Sequence, residues 1–159
     1  MSAVSAPVTV GLGQAVVTDQ PVGILGLGSC VGVCIFDHEL GRAAVAHVVL
    51  PHEDGHVSTR APARSAPAAV RWAVTELERR GSDRQRLVAK LVGGAHLLSG
   101  VDLPDIGAEN VAAVRTALRE AGIPVVAEDV GEDYGRTAHV DPATGRIVVL
   151  AIGRGERVL

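Results

Sequence analysis

Two residues carry the chemical interest of this sequence. Cys30 closes the segment GLGSC at 26–30, and His47 follows seventeen residues later in AHVVLP at 46–51. A thiol beside an imidazole is the smallest set for covalent thiolate catalysis. The ring takes the thiol proton, and the resulting ion pair lowers the thiol pKa. Gly26 and Gly28 keep the backbone before Cys30 free of Cβ bulk. N–H groups around Gly28, Ser29 and Cys30 can then face an oxyanion developing on an attacked acyl group. An isolated cysteine in an apolar strand is more often a small core residue. That is the reading for Cys34, one strand repeat further on.

The pair has to be brought together by a hairpin. Two apolar runs, 31–36 and 43–50, flank the polar stretch DHELG. Pairing Phe36 with Gly41 closes a four-residue loop and sets Cys30 directly opposite His47. Their Cβ atoms would then lie roughly 4.5–5.5 Å apart on one face. A slip of one residue would send them to opposite faces.

Around this hairpin the sequence predicts strands at 8–17, 23–27, 87–92, 123–128, 136–140 and 146–152, with DPATG at 141–145 as a turn. A helix is predicted over 65–80, with Ser65 as N-cap, an apolar stripe of Val70, Ala73, Val74 and Leu77, and Gly81 as the stop. A second is predicted over about 107–121, with Val111, Val114, Leu118 and Ala121 inward. This order is not a regular βαβα alternation. The expected class is therefore α+β, one domain over 1–159 with its core at about 8–152.

Composition narrows the function classes. The chain has 159 residues, 47% hydrophobic and 21% charged, as in a globular protein. A net charge of −3 offers no basic field for nucleic acid, and Phe36, Trp72 and Tyr134 are too few to stack bases. No apolar run approaches the ~20 residues of a membrane span, and the N-terminus lacks a secretory pattern. A soluble cytoplasmic protein without direct membrane insertion is expected. HEDGH at 52–56 fits H-E-x-x-H as a string, but Pro51 before it and Asp54-Gly55 within it favour a loop over the helix a zinc site needs. A zinc hydrolase is thus a minor reading, and no metal ligand is assigned. Gly93-Gly94-Ala95 reads as close packing rather than a phosphate cradle, and His96 and His139 have no evident partners.

Taken together, LGLGSCVGVCIFD (25–37), AHVVLP (46–51), KLVGGAHLL (90–98), IGAENVAAVRTALREAGI (106–123), EDVGEDYGR (128–136) and the DPATGRIVV hairpin resemble the chemoreceptor glutamine deamidase family, CheD. GLGSC followed by H-x-x-L-P is the specific pairing. The resemblance implies a mixed β-sheet sandwich flanked by helices, with Cys30 as nucleophile and His47 as base. It implies conversion of receptor Gln to Glu, hydrolysis of glutamyl methyl esters by the same attack, no cofactor, and the helical bundle of a chemoreceptor as substrate. It also implies docking with a CheC-type phosphatase. Two positions depart from the family pattern. Ile24 stands where the family has a histidine-supporting Thr, and Glu132 stands where it often has Gly. With Ile24 unable to hydrogen-bond, a backbone carbonyl or another polar group has to orient the ring. The alternative is a weak or inactive binding module that docks the phosphatase.

Overall fold

The computed structural model describes residues 8–55, 58–98 and 100–159. Among the described residues, ten strands and two α-helices form three layers. β1 (Val8–Thr9), β3 (Val22–Leu27), β8 (Arg136–Asp141), β9 (Arg146–Ala151) and β10 (Gly155–Val158) make one sheet, in that spatial order. β2 (Ala15–Thr18), β5 (Arg42–Val48), β4 (Val31–Asp37), β6 (Val88–Gly93) and β7 (Val125–Val130) make the other. Each sheet has one parallel pair, β1 with β3 and β6 with β7, among antiparallel ones. The α+β sandwich expected from the sequence is the architecture found.

β4 explains the layering. All seven of its residues are buried, because it has a layer on each side. Val31, Val33 and Ile35 face α1 (Ala66–Arg79) and α2 (Ile106–Glu120), in a cluster with Val70, Val74, Leu77, Val114 and Leu118. Cys34 and Phe36 face the other sheet, among Ile24, Leu27, Val45, Ala138 and Ile147. The helices therefore cover the second sheet only. Burying each large aliphatic side chain stabilises the fold by roughly 1.5–3 kcal/mol. The ends of α1 follow their predicted signals. Ser65 caps α1 by accepting from the Ala68 N–H at 3.4 Å, and Gly81 follows with φ 94°. Asp105 caps α2 by accepting from the Ala108 N–H at 2.9 Å.

Three expectations are corrected. The strand predicted over 8–17 is two strands, one in each sheet, separated at Val10–Gln14 where Gly13 takes φ 72°. The turn carries the chain across the sandwich. The hairpin register is also different, for Asp37 pairs with Arg42 and closes the loop 38–41 one residue later than expected. Asp37 is buried, and its Oδ1 accepts from the N–H groups of Glu39 and Leu40 while Oδ2 accepts from Arg86 at 3.0 Å. That ion pair ends the strand at Asp37 rather than Phe36. Finally, β10 is an exposed edge strand absent from the sequence reading.

Candidate active site

The register puts His47 opposite Gly32, two residues from Cys30. Direct opposition is therefore not formed, but Cys30 packs against the core between the sheets with Ala43 and Val45, and His47 stands on that same alternating face of β5. Cys30 itself lies just before β4, at the end of the three-residue crossing 28–30 that takes the chain from one sheet to the other.

That crossing is held on its backbone. The Gly28 carbonyl accepts from the Ala95 N–H at 2.8 Å, and the Cys30 carbonyl accepts from the Gly94 N–H at 2.8 Å. Gly93 has φ 111°, and a Cβ there would stand 2.3 Å from the Cys30 oxygen. A Cβ on Gly107, the second residue of α2, would stand 2.3 Å from the Ala95 oxygen. Gly93-Gly94-Ala95 is thus close packing, as the sequence suggested, and it is packing against the cysteine loop. The return crossing at 131–135 adjoins the same place. Gly131 N–H donates to the Gly93 carbonyl, and His96 N–H to the Glu132 carbonyl. Buried Arg136 bridges this crossing, donating to Asp129 at 3.0 Å and to the Gly131 carbonyl at 2.8 Å. Glu132 sits at φ 60°, in the left-handed region that favours glycine, which accounts for Gly at this position in the family pattern.

His47 is buried, and its ring is oriented by main chain. Nδ1 donates to the Val10 carbonyl at 3.0 Å. A carbonyl oxygen can only accept, so the neutral ring carries its proton on Nδ1 and leaves the Nε2 lone pair free. Nε2 is buried and has no hydrogen-bond partner among the described residues. The backbone of His47 is pinned to the same N-terminal segment, accepting from Gly13 at 2.9 Å and donating to Gln14 at 3.0 Å. Ile24, at the position of the family Thr, is fully buried, and its Cδ1 packs over Gly32, the strand partner of His47.

Cys30 is half-buried with a free thiol. Burial pushes its pKa up from the ordinary value, and its own backbone N–H opposes that rise. No hydrogen bond joins it to His47 among the described residues. Burial thus favours the protonated thiol before attack. Cys34 is buried, and burial pushes it up to about 12, so it is an inert core residue. Over the crossing stands Leu97, whose Cδ1 would meet a Cβ on Gly28 at 2.7 Å. Leu97 is more than half exposed, so it gives the crossing an apolar edge, and Leu98 after it is exposed as well.

Asn110 was not anticipated. It is fully buried on α2, and its Nδ2 donates to the carbonyls of Ser29 at 2.9 Å and Val49 at 3.1 Å. The sequence held one signal. Position 110 falls on the inward stripe with 107, 111 and 114, where an amide needs a reason. His96 makes no side-chain hydrogen bond among the described residues, and its Nε2 is buried without a partner. Its Nδ1 lies 3.6 Å from Asp105 Oδ2. His139 is exposed. Residues 52–55 are not helical, Glu53 is paired with Arg71, and His56 lies outside the described residues. The helical H-E-x-x-H geometry is therefore not formed there.

The family described as CheD chemotactic sensory transduction matches residues 49–151. A relative from Symbiobacterium thermophilum, "Probable chemoreceptor glutamine deamidase CheD", is 44% identical over 94% of this chain and 95% of its own. The chain belongs to the CheD family. A second CheD relative, the "Chemoreceptor glutamine deamidase CheD" of Thermotoga maritima, is 38% identical over 94% of each chain. A third, the "Probable chemoreceptor glutamine deamidase CheD" of Archaeoglobus fulgidus, is 40% identical over 94% of this chain and 96% of its own. The CheD family match begins just after His47. The relatives leave out too little of the chain for Cys30 or His47 to lie outside their span. No helix among the described residues is long and apolar enough to cross a membrane.

Proposed function

We propose that this protein is a cysteine-dependent deamidase that converts exposed Gln side chains of chemoreceptors to Glu. The observation that carries the reading is His47, whose Nδ1 is committed to Val10 while a buried Nε2 is left unpaired on the face of Cys30. Nε2 takes the Cys30 proton as sulfur attacks the carboxamide carbon. The tetrahedral oxyanion is met by N–H groups of the 28–30 crossing, from Ser29 and Cys30. Collapse expels ammonia, which leaves with the proton from Nε2, and a glutamyl thioester remains on Cys30. Water then gives a proton to Nε2 and its oxygen to the thioester carbon. The thiol is restored and Glu released. Glutamyl methyl esters enter by the same attack and release methanol.

Exposed Leu97 beside Gly28, with exposed Leu98 next to it in the chain, favours a protein surface over a small molecule. Such a substrate places the enzyme in the cytoplasm, beside the receptor's helical bundle. A CheC-type phosphatase is the further partner that the family suggests. The fold acts as one domain.

The test is incubation of the full chain with cytoplasmic fragments of chemoreceptors from its own source, followed by peptide mass mapping. Conversion of discrete Gln residues to Glu is expected, each lost when that Gln is replaced by Ala. Receptors recovered with every Gln intact would contradict the proposal.

A further inference from the structure

Asn110 stands outside the reacting groups and touches both walls of the site. Its two Nδ2 hydrogens go to Ser29, in the crossing that carries Cys30, and to Val49, two residues beyond His47. Two carbonyl acceptors settle which end of the amide is nitrogen. Oδ1 is buried and without a partner among the described residues. Keeping an unpaired oxygen in the core is a cost that a space-filling residue would not carry.

The Ser29 bond has a directional consequence. A trans peptide holds its C=O and N–H antiparallel, and no peptide in the described chain is cis. Drawing the Ser29 carbonyl toward α2 therefore turns the Cys30 N–H the other way. That N–H is the group that lies against the Cys30 sulfur. Ala95 N–H does the same for the preceding plane by holding the Gly28 carbonyl, which sets the N–H of Ser29. Of these restraints, the Ser29 one alone is supplied by a side chain. Glycine packing at Gly94 and Gly107 lets α2 come close enough for a short amide to reach.

We propose that Asn110 is a positioning residue, aiming the Cys30 N–H at the sulfur and the oxyanion and fixing the distance between the Cys30 crossing and the end of the His47 strand. The idea rests on the deamidase reading for its kinetic consequence, but its spectroscopic consequence is separate. Asn110→Leu fills the space without donors, and Asn110→Ser leaves a smaller group that cannot span both carbonyls.

Both variants are to be made in the full chain and checked by circular dichroism. The pH profile of Cys30 alkylation by iodoacetamide and the kinetics on a receptor fragment are then measured. In a folded variant the alkylation profile moves to higher pH. The kcat falls by roughly tenfold to a hundredfold while KM changes little, as expected when a reacting group is misplaced. A folded variant with the wild-type profile and kcat would overturn the assignment. So would failure of both variants to fold, which would make Asn110 part of the scaffold only. If wild type alkylates but deamidates nothing, the function proposal fails while the profile shift still tests Asn110.

Discussion

Nδ1 of His47 lies 3.0 Å from the carbonyl oxygen of Val10. This contact supplies main-chain support for the imidazole where the CheD pattern has Thr and this chain has Ile24. It depends on the break between β1 and β2, which turns the Val10 carbonyl out of strand pairing as the chain crosses the sandwich. It removes the main reason for reading the chain as a binding module, since an apolar residue at 24 no longer leaves the ring unoriented.

Restoring the family residue should therefore not help. Ile24→Thr buries a hydroxyl among Leu27, Cys34 and Phe36, at a cost of about 1–3 kcal/mol. It adds no acceptor that Nδ1 lacks. Thermal unfolding should show the loss of stability, and deamidase kcat at a temperature where the variant is folded should stay within a few-fold of wild type. A large rise in kcat would show that the Val10 carbonyl is a poor substitute.

Gly93→Ala should be far more damaging than an ordinary strand substitution. The added Cβ meets the Cys30 oxygen at 2.3 Å, on a backbone at φ 111°. Left-handed strain alone costs about 1–2 kcal/mol, and relief of the clash moves Cys30. Peptide mapping of alkylation rates should show Cys30 altered with Cys34 still protected.

Cys34 gives a stability signature at alkaline pH. Its folded pKa is raised by burial to about 12, above the ordinary 9.0. Both states are protonated below about 9, so the full contribution is present there. Above 9 the unfolded thiol ionises first and stability falls, by a few kcal/mol as pH approaches 12. Denaturant unfolding from pH 8 upward should show a decline that is smaller in Cys34→Ala, in which no buried thiol titrates. Equal declines in the two proteins would contradict the burial argument.

Glu132→Gly should stabilise the chain. Relief of a left-handed Glu, at about 1–2 kcal/mol, outweighs the extra backbone entropy of glycine, at about 0.5–1 kcal/mol. A rise in Tm of about 1–4 °C is expected. The bond from His96 N–H to the backbone at 132 is retained.

The face of β5 on which His47 stands was legible because a strand's period of two survives an error of two in register. The register was not, because it turned on which residue ends β4, and Asp37 was settled by Arg86 from a distant segment. The division of 8–17 was hidden by apolar residues that continue past Gly11 and Gly13. β10 was hidden because its four residues are all exposed and carry no buried pattern. The Val10 contact is made by a carbonyl, which every residue has, so no side chain could advertise it.

The central claim is that Cys30 attacks and His47 moves the proton. The most direct measurement is ammonia release from a chemoreceptor cytoplasmic fragment by wild type, Cys30→Ala and His47→Ala side by side, with folding of each checked by circular dichroism. Wild type should release ammonia in step with Gln-to-Glu conversion. Cys30→Ala should release none above the uncatalysed rate, and His47→Ala should be slowed by roughly 10²–10⁴-fold, as for loss of a general base. Ammonia release by folded Cys30→Ala at the wild-type rate would contradict the account.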